Sequence, residues 1–208
     1  MSRCVVLNSG GFDSVVLMNY LHTIQGEENI HSLHFLYGAN NEKQQLACVN
    51  KVCEKLGAVN KIIQLPKIDW TTSNFFTDEE YEESSQYLEY RNLIFLSYAL
   101  SYAEAIKADK VYLAFINNGV YPDTTLEFLQ GLNSFCVPAS GVVIDAPFIH
   151  DNKYRLGHIA NYLGIKPEDY FSCDKPKSDG SPCGECLDCN TLKEVGIFIH
   201  DTLNKYSK

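Results

Sequence analysis

Apolar positions along the chain switch between two periods. Short, β-branched or aromatic runs at Cys4–Asn8, His31–Gly38, Lys61–Pro66, Lys110–Ile116 and Val142–Phe148 predict five strands. Between them apolar residues recur at helical spacing. Val15, Val16, Met18 and Leu21 follow the first strand. Leu46, Val49, Val52, Cys53 and Leu56 mark a helix over Glu42–Leu56 that Gly57 stops. Leu93–Ile106 is apolar nearly all round and predicts a buried helix, entered through Leu88-Glu89-Tyr90-Arg91-Asn92. Thr125–Leu132 predicts a short helix with Thr124 or Thr125 as N-cap, and Lys153–Leu163 a late helix stopped by Gly164. Ile68–Gln86 fits no period. Its Trp70, Phe75, Phe76 and acidic run Asp78–Glu83 suit a lid or binding loop, with a disordered insertion as the alternative.

Strands alternating with helices at short spacing predict an α/β fold: a parallel, doubly wound, Rossmann-like sheet with right-handed crossovers. Ligands bind such sheets beyond the carboxyl ends of the strands. Ser9–Ser14, Tyr37–Gly38 and the segment after Leu65 should therefore meet in one crevice. Two regions are expected: an α/β domain over 1–170, and a cysteine knuckle with a C-terminal helix over 171–208 packed on it.

The first strand runs straight into Ser9-Gly10-Gly11-Phe12-Asp13-Ser14 and then a helix. Such a turn offers backbone N–H groups at the positive end of a helix dipole, where phosphate binds well. Gly10 and Gly11 admit close approach of an anion. Ser9 and Ser14 add hydroxyls, and Asp13 can hold a hydrated Mg²⁺. The string lacks the G-K-[ST] ending of a Walker A loop. It resembles the PP-loop of N-type ATP pyrophosphatases, which cleave ATP to AMP and pyrophosphate, and so assigns ATP binding to Leu7, Asn8, Ser9, Gly10, Gly11, Phe12, Asp13 and Ser14.

The 208 residues contain eight cysteines. Cys4, Cys48, Cys53 and Cys136 are scattered and read as small core residues. Cys173, Cys183, Cys186 and Cys189 form C-x9-C-x2-C-x2-C, a spacing that can close a tetrahedron around Zn²⁺. A fully thiolate-ligated site has no open position to activate water, so its role is structural. An iron–sulfur cluster and free thiols are the competing readings. Net charge is −9, which opposes a general nucleic-acid binder. No run is long enough to cross a membrane, and the N-terminus does not read as a signal peptide; a cytoplasmic protein is expected.

Loop and knuckle together resemble the 7-cyano-7-deazaguanine synthase family over most of the chain. Tyr37-Gly38, Arg91-Asn92-Leu93-Ile94-Phe95-Leu96-Ser97, Tyr121-Pro122-Asp123 with Glu127-Phe128, Lys153, and Ser172-Cys173 match its motifs in order. The resemblance implies an ATP- and Mg²⁺-dependent ligase, AMP- and pyrophosphate-forming, in queuosine-type biosynthesis. It would activate the carboxylate of 7-carboxy-7-deazaguanine as an adenylate and use ammonia to form the amide and then the nitrile. It implies Asp13, Arg91 and Lys153 as catalytic residues, with Tyr37, Arg91, Asn92, Tyr121, Asp123 and Glu127 around the substrate, in a homodimer. The family's Y-G-Q-R-H is here Tyr37-Gly38-Ala39-Asn40-Asn41, its P-G-R-N is Glu89-Tyr90-Arg91-Asn92, and its C-R-x-E-F is Thr124-Thr125-Leu126-Glu127-Phe128. The loop and knuckle are kept while the substrate pocket departs. That pattern suits a paralogue that stops at amide formation and joins the deazaguanine to another amine or a protein. Two other classes compete: a non-catalytic ATP- and zinc-binding module, and a tRNA-thiolating enzyme, which would need cysteines in the crevice.

Overall fold

The computed structural model describes residues 3–67, 87–116 and 121–196. The excursion Ile68–Gln86 and the loop Asn117–Val120 lie outside the described residues. Five strands form one sheet: β1 (Cys4–Leu7), β2 (Ile30–Leu36), β3 (Val59–Gln64), β4 (Lys110–Tyr112) and β5 (Val143–Asp145). All pair in parallel, in the order β3-β2-β1-β4-β5. The winding runs outward from β1 to β3, returns to the other side of β1 at β4, and ends at β5. Right-handed crossovers then place the helices of the two halves on opposite faces.

Six helices complete the fold: α1 (Phe12–Thr23), α2 (Glu42–Leu56), α3 (Arg91–Ile106), α4 (Leu126–Ser140), α5 (Lys153–Tyr162) and α6 (Leu187–Glu194). On one face Val6, Leu17, Met18, Val49, Val52 and Leu156 bury α1, α2 and α5 against the sheet. On the other, Val5, Leu33, Val111 and Ile144 pack against Leu96, Ala99 and Leu129 of α3 and α4. The doubly wound expectation holds, and the strand order reverses between β1 and β4, the place where such sheets open a crevice.

Three details differ from the periodicity. The α3 helix buries only Leu96, Ala99 and Ala103, while Leu93 and Tyr98 are exposed, so it is a one-sided helix with an apolar outer face. The α4 helix runs eight residues past Leu132 to Ser140; Thr125 Oγ caps its start by accepting from the Phe128 N–H, Gly141 at φ +76° ends it with its N–H on the Val137 carbonyl, and Pro138 falls in its last turn. A proline there removes one hydrogen bond near an end that frays anyway. Strands β4 and β5 keep only three residues each.

The entry to α3 carries strain. Tyr90 sits at φ +53°, in the left-handed region, where a side chain costs roughly 1–2 kcal/mol. This is the place of the glycine in the P-G-R-N motif. The bend aims Arg91 and Asn92 into the crevice.

Candidate functional site

The Ser9–Ser14 loop is a built turn. Gly10 takes φ +80°, and a Cβ there would run into the backbone carbonyl of Gln45 on α2. No other residue fits so close to a neighbouring main chain. Asn8, only 2% exposed, braces the turn from below: its Oδ1 accepts from the Gly10 N–H at 3.0 Å and its Nδ2 donates to Ser32 Oγ at 3.1 Å. Ser9 Oγ accepts from the Gly11 N–H at 3.1 Å, and Ser14 Oγ donates to the Gly11 carbonyl at 3.0 Å. The expectation of unengaged N–H groups is therefore corrected in part. Those of Gly10, Gly11 and Phe12 are each met by a side-chain oxygen, the last by Ser172 Oγ at 2.9 Å.

Ser172 belongs to the segment that leads into the cysteines. That segment is tied to the loop along its length. The Phe171 N–H donates to the Gly10 carbonyl, Gln45 Nε2 to the Phe171 carbonyl, and Asn41 Nδ2 to the Cys173 carbonyl. Tyr170 packs edge-on against Phe12 with ring centroids 5.0 Å apart. Sequence spacing gave no sign that the cysteine region would hold the Ser9–Ser14 loop in shape.

A crevice of about 530 Å³ opens beyond the strand ends. Leu7, Asn8, Ser9, Gly11, Phe12, Asp13 and Ser14 line it, as do Tyr37, Arg91, Asn92, Tyr121, Asp123 and Lys153. Glu127 does not. It is exposed on the first turn of α4, where the helix start turns it away from the crevice, so its substrate role is not carried by the geometry. Gly10 contributes the turn rather than the wall.

Charges alternate along the crevice. Lys153 Nζ bridges both carboxylate oxygens of Asp13 at 2.5 Å, so these two meet each other across 140 positions of sequence. Arg91 Nη1 donates to Tyr37 Oη at 3.3 Å, and the Asn92 N–H donates to Asp123 at 3.4 Å. Burial opposes the Arg91 charge, but Tyr37, Asp174 and Asp123 outweigh it and hold the guanidinium charged. Tyr121 stacks on Tyr87 with centroids 6.1 Å apart, giving the crevice a flat aromatic wall.

Three lining carboxylates were not singled out from the sequence: Asp151, just before α5, and two in the cysteine region. Asp174, 5% exposed, follows Cys173, and Asp188 lies between Cys186 and Cys189. Burial pushes Asp174 well above the usual carboxylate range, with Asp188 adding to it. Burial raises Asp188 to about 6, against the lowering charge of Lys153. The signal for Asp174 and Asp188 was an acidic residue next to a knuckle cysteine. His34, a polar position in an apolar strand, also lines the crevice.

The four knuckle cysteines converge, with all sulfurs within 4.8 Å of one another. The Cys173–Cys183 separation is 3.5 Å, Cys183–Cys189 3.9 Å and Cys173–Cys186 4.0 Å. A tetrahedron of thiolates at a Zn–S length of about 2.3 Å has edges of about 3.8 Å. The Cys183 N–H points at Cys173 Sγ, and those of Glu185 and Cys186 at Cys183 Sγ. Hydrogen bonds from Cys173 and Cys189 pull Cys186 well below the usual thiol range. The residues therefore fit a tetrahedral metal ion. The scattered cysteines line no part of the crevice; burial raises Cys4 to about 12 and Cys48 to about 11, as for inert core thiols.

Comparison with known proteins agrees with this geometry. The family model described as queuosine biosynthesis protein QueC matches residues 3–196. The 7-cyano-7-deazaguanine synthase of a Nitratiruptor species is 30% identical over 202 residues, covering 90% of each chain. That of Hahella chejuensis is 30% identical, covering 90% of this chain and 85% of its own. Among solved structures, the U34-tRNA thiolase NcsA from Methanococcus maripaludis, with its [4Fe-4S] cluster, superposes with a TM-score of 0.59. It is 18% identical, over 98% of this chain and 67% of its own, a likeness of fold alone. Phosphate-loop fold, four-cysteine centre and sequence kinship agree, and the chain belongs to the QueC family of queuosine biosynthesis proteins.

Proposed function

We propose that the protein activates the carboxylate of 7-carboxy-7-deazaguanine with ATP and converts it with ammonia to the amide and then to 7-cyano-7-deazaguanine. The observation that carries this reading is the meeting, in one crevice, of the Ser9–Ser14 loop with Arg91 and Asp123 on the opposite helical layer. The loop and the start of α1 would hold the phosphates. A substrate carboxylate oxygen attacks the α-phosphorus; the bond to the β-phosphate breaks and pyrophosphate leaves. Ammonia then displaces AMP from the acyl-adenylate. A second ATP activates the amide oxygen, and loss of AMP leaves the nitrile. Arg91 would orient the carboxylate, and Lys153 would turn from Asp13 to the charge gathering on pyrophosphate. Asp13, released in the same exchange, would take Mg²⁺ on the phosphates, where the cation neutralises charge. A structural Zn²⁺ on Cys173, Cys183, Cys186 and Cys189 would keep the Ser172 segment against the loop. The knuckle would thus serve the α/β domain as a brace rather than as a second catalytic unit.

A second reading is favoured by Asp174 and Asp188. Their carboxyl groups stand at one end of the crevice, where one of them could bind an incoming ammonium and take the proton it must lose before its nitrogen attacks, which suits an amine in place of ammonia and a reaction that stops at the amide. Incubation with ATP, Mg²⁺, ammonia and 7-carboxy-7-deazaguanine tests both. AMP, pyrophosphate and nitrile are expected from the first; AMP with amide but no nitrile would favour the second; no AMP would sink both. Asp13→Ala should abolish pyrophosphate release with the fold kept. Exposed Leu93, Tyr98 and Phe135 on α3 and α4 support a homodimer, which native mass spectrometry would weigh together with bound zinc. A cytoplasmic location accords with this chemistry; among the described residues no helix is long and apolar enough to cross a membrane.

A further inference from the structure

His34 is the one buried imidazole of the crevice wall among the described residues. It is 2% exposed, yet its Nε2 has no hydrogen-bond partner there. Buried acceptors without partners are rare in folded proteins and point to a ligand or a water. Its other nitrogen settles the tautomer. Nδ1 lies 2.9 Å from the backbone carbonyl of Asn8, and a carbonyl oxygen only accepts, so Nδ1 carries the proton. Burial lowers the pKa of His34, against the Asn8 bond and the Glu42 charge, and keeps the ring neutral. Nε2 is then a bare lone pair.

Strand alternation says which half of the crevice it serves. Leu33 and Phe35 pack in the core layer beneath α3. Ser32 and His34 therefore face the α1–α2 side, where Ser32 hydrogen-bonds Cys53 of α2. That is the side carrying the phosphate loop, whereas Arg91 and Asp123 belong to the α3 side. Asn8, which fixes His34, is also the residue that braces Gly10. A lone pair repels phosphate oxygens, so within a bound nucleotide only the nucleoside half can supply a donor to it.

We infer that His34 Nε2 accepts a hydrogen bond from the exocyclic amine of the bound adenine and so selects adenine over 6-oxopurine nucleotides. This rests on the reading that the loop binds ATP. A 6-oxopurine presents a carbonyl where adenine presents its amine, and a site built around a hydrogen bond rejects the analogue that cannot make it.

The test is calorimetric titration of the full-length, zinc-loaded protein with Mg²⁺ and ATP, inosine triphosphate or 2′-deoxy-ATP. His34→Asn can keep the bond to the Asn8 carbonyl while losing the Nε2 acceptor; His34→Gln can restore an acceptor at that depth. The wild type should bind ATP about tenfold tighter than inosine triphosphate. His34→Asn should weaken ATP by about tenfold and leave inosine triphosphate unchanged, and His34→Gln should stay within about threefold of wild type for ATP. Equal loss for both purines, or unchanged ATP affinity as for a water-filled site, would overturn the assignment. So would a penalty that disappears with 2′-deoxy-ATP, which would move the contact to the ribose. If His34→Asn fails to fold, a wild-type preference near one overturns it alone. A wild type that binds ATP while the variants change nothing sinks only the His34 inference; a wild type that binds no nucleotide sinks the proposed function.

Discussion

Replacing Gly10 by alanine probes the closest backbone approach in the site. Two penalties combine there. The residue sits at φ +80°, where a Cβ costs roughly 1–2 kcal/mol. The new methyl also meets the Gln45 carbonyl, its carbon and its Cα, all backbone atoms of a packed helix that cannot swing aside. Forcing such a group into a filled space costs about 1–3 kcal/mol more. The sum is roughly 2–5 kcal/mol, a large share of the 5–15 kcal/mol that holds a typical domain. At about 2–4 °C per kcal/mol for a chain of this size, the thermal midpoint should fall by roughly 4–20 °C. Gly57→Ala is the control. Gly57 has φ +64° but nothing within 4 Å of its added Cβ, so it carries the first penalty alone, about 2–8 °C. Thermal unfolding of the three proteins under one condition reads the difference. Equal losses for the two variants would refute the idea that α2 forces a glycine on the loop.

Cys189→Ser or a strong chelator should remove bound metal and loosen the Ser172 segment. Faster hydrogen exchange at Phe12 and Phe171, ahead of the β1 core, is expected; protection unchanged at Phe12 would separate knuckle from loop. Glu127→Ala should leave KM for the proposed deazaguanine substrate within about twofold, since surface changes away from a site are usually mild; a large rise would return this residue to the site. Burial raises Asp169, but hydrogen bonds from Lys51 and the Lys166 N–H outweigh it and hold the carboxyl below its ordinary 3.8. Its contribution to stability is then present above that pH and lost as pH falls through the lower folded value. Asp169→Asn should flatten the acid side of a urea-midpoint profile, and an unchanged slope would show that the Lys51 pair does not act in solution.

Local pattern determined much of this protein. Apolar runs of strand length and apolar residues at helical spacing placed β1 through β3 and α1, α2 and α5, because β1, β2 and α1 are buried on most sides and glycine or proline stands near several of the ends. The loop and the knuckle were legible for the same reason: a turn chemistry and a ligand spacing are short-range properties. Where packing outweighs propensity, the pattern was less informative. It made α3 buried all round, although only the sheet side of that helix is covered, and it ended α4 early, although the helix continues past Leu132 to its stop at Gly141. The site needed the tertiary structure most. Asp13 meets Lys153, and Ser172 meets Phe12, only because the winding returns the chain to the carboxyl ends of β1 and β4. Asp174, Asp188 and His34 became candidate residues through burial and the wall they share. Glu127 dropped out because the α4 start turns it to solvent. Residue types are written in the chain, but which of them share a low-dielectric crevice depends on long-range contacts that no local spacing encodes.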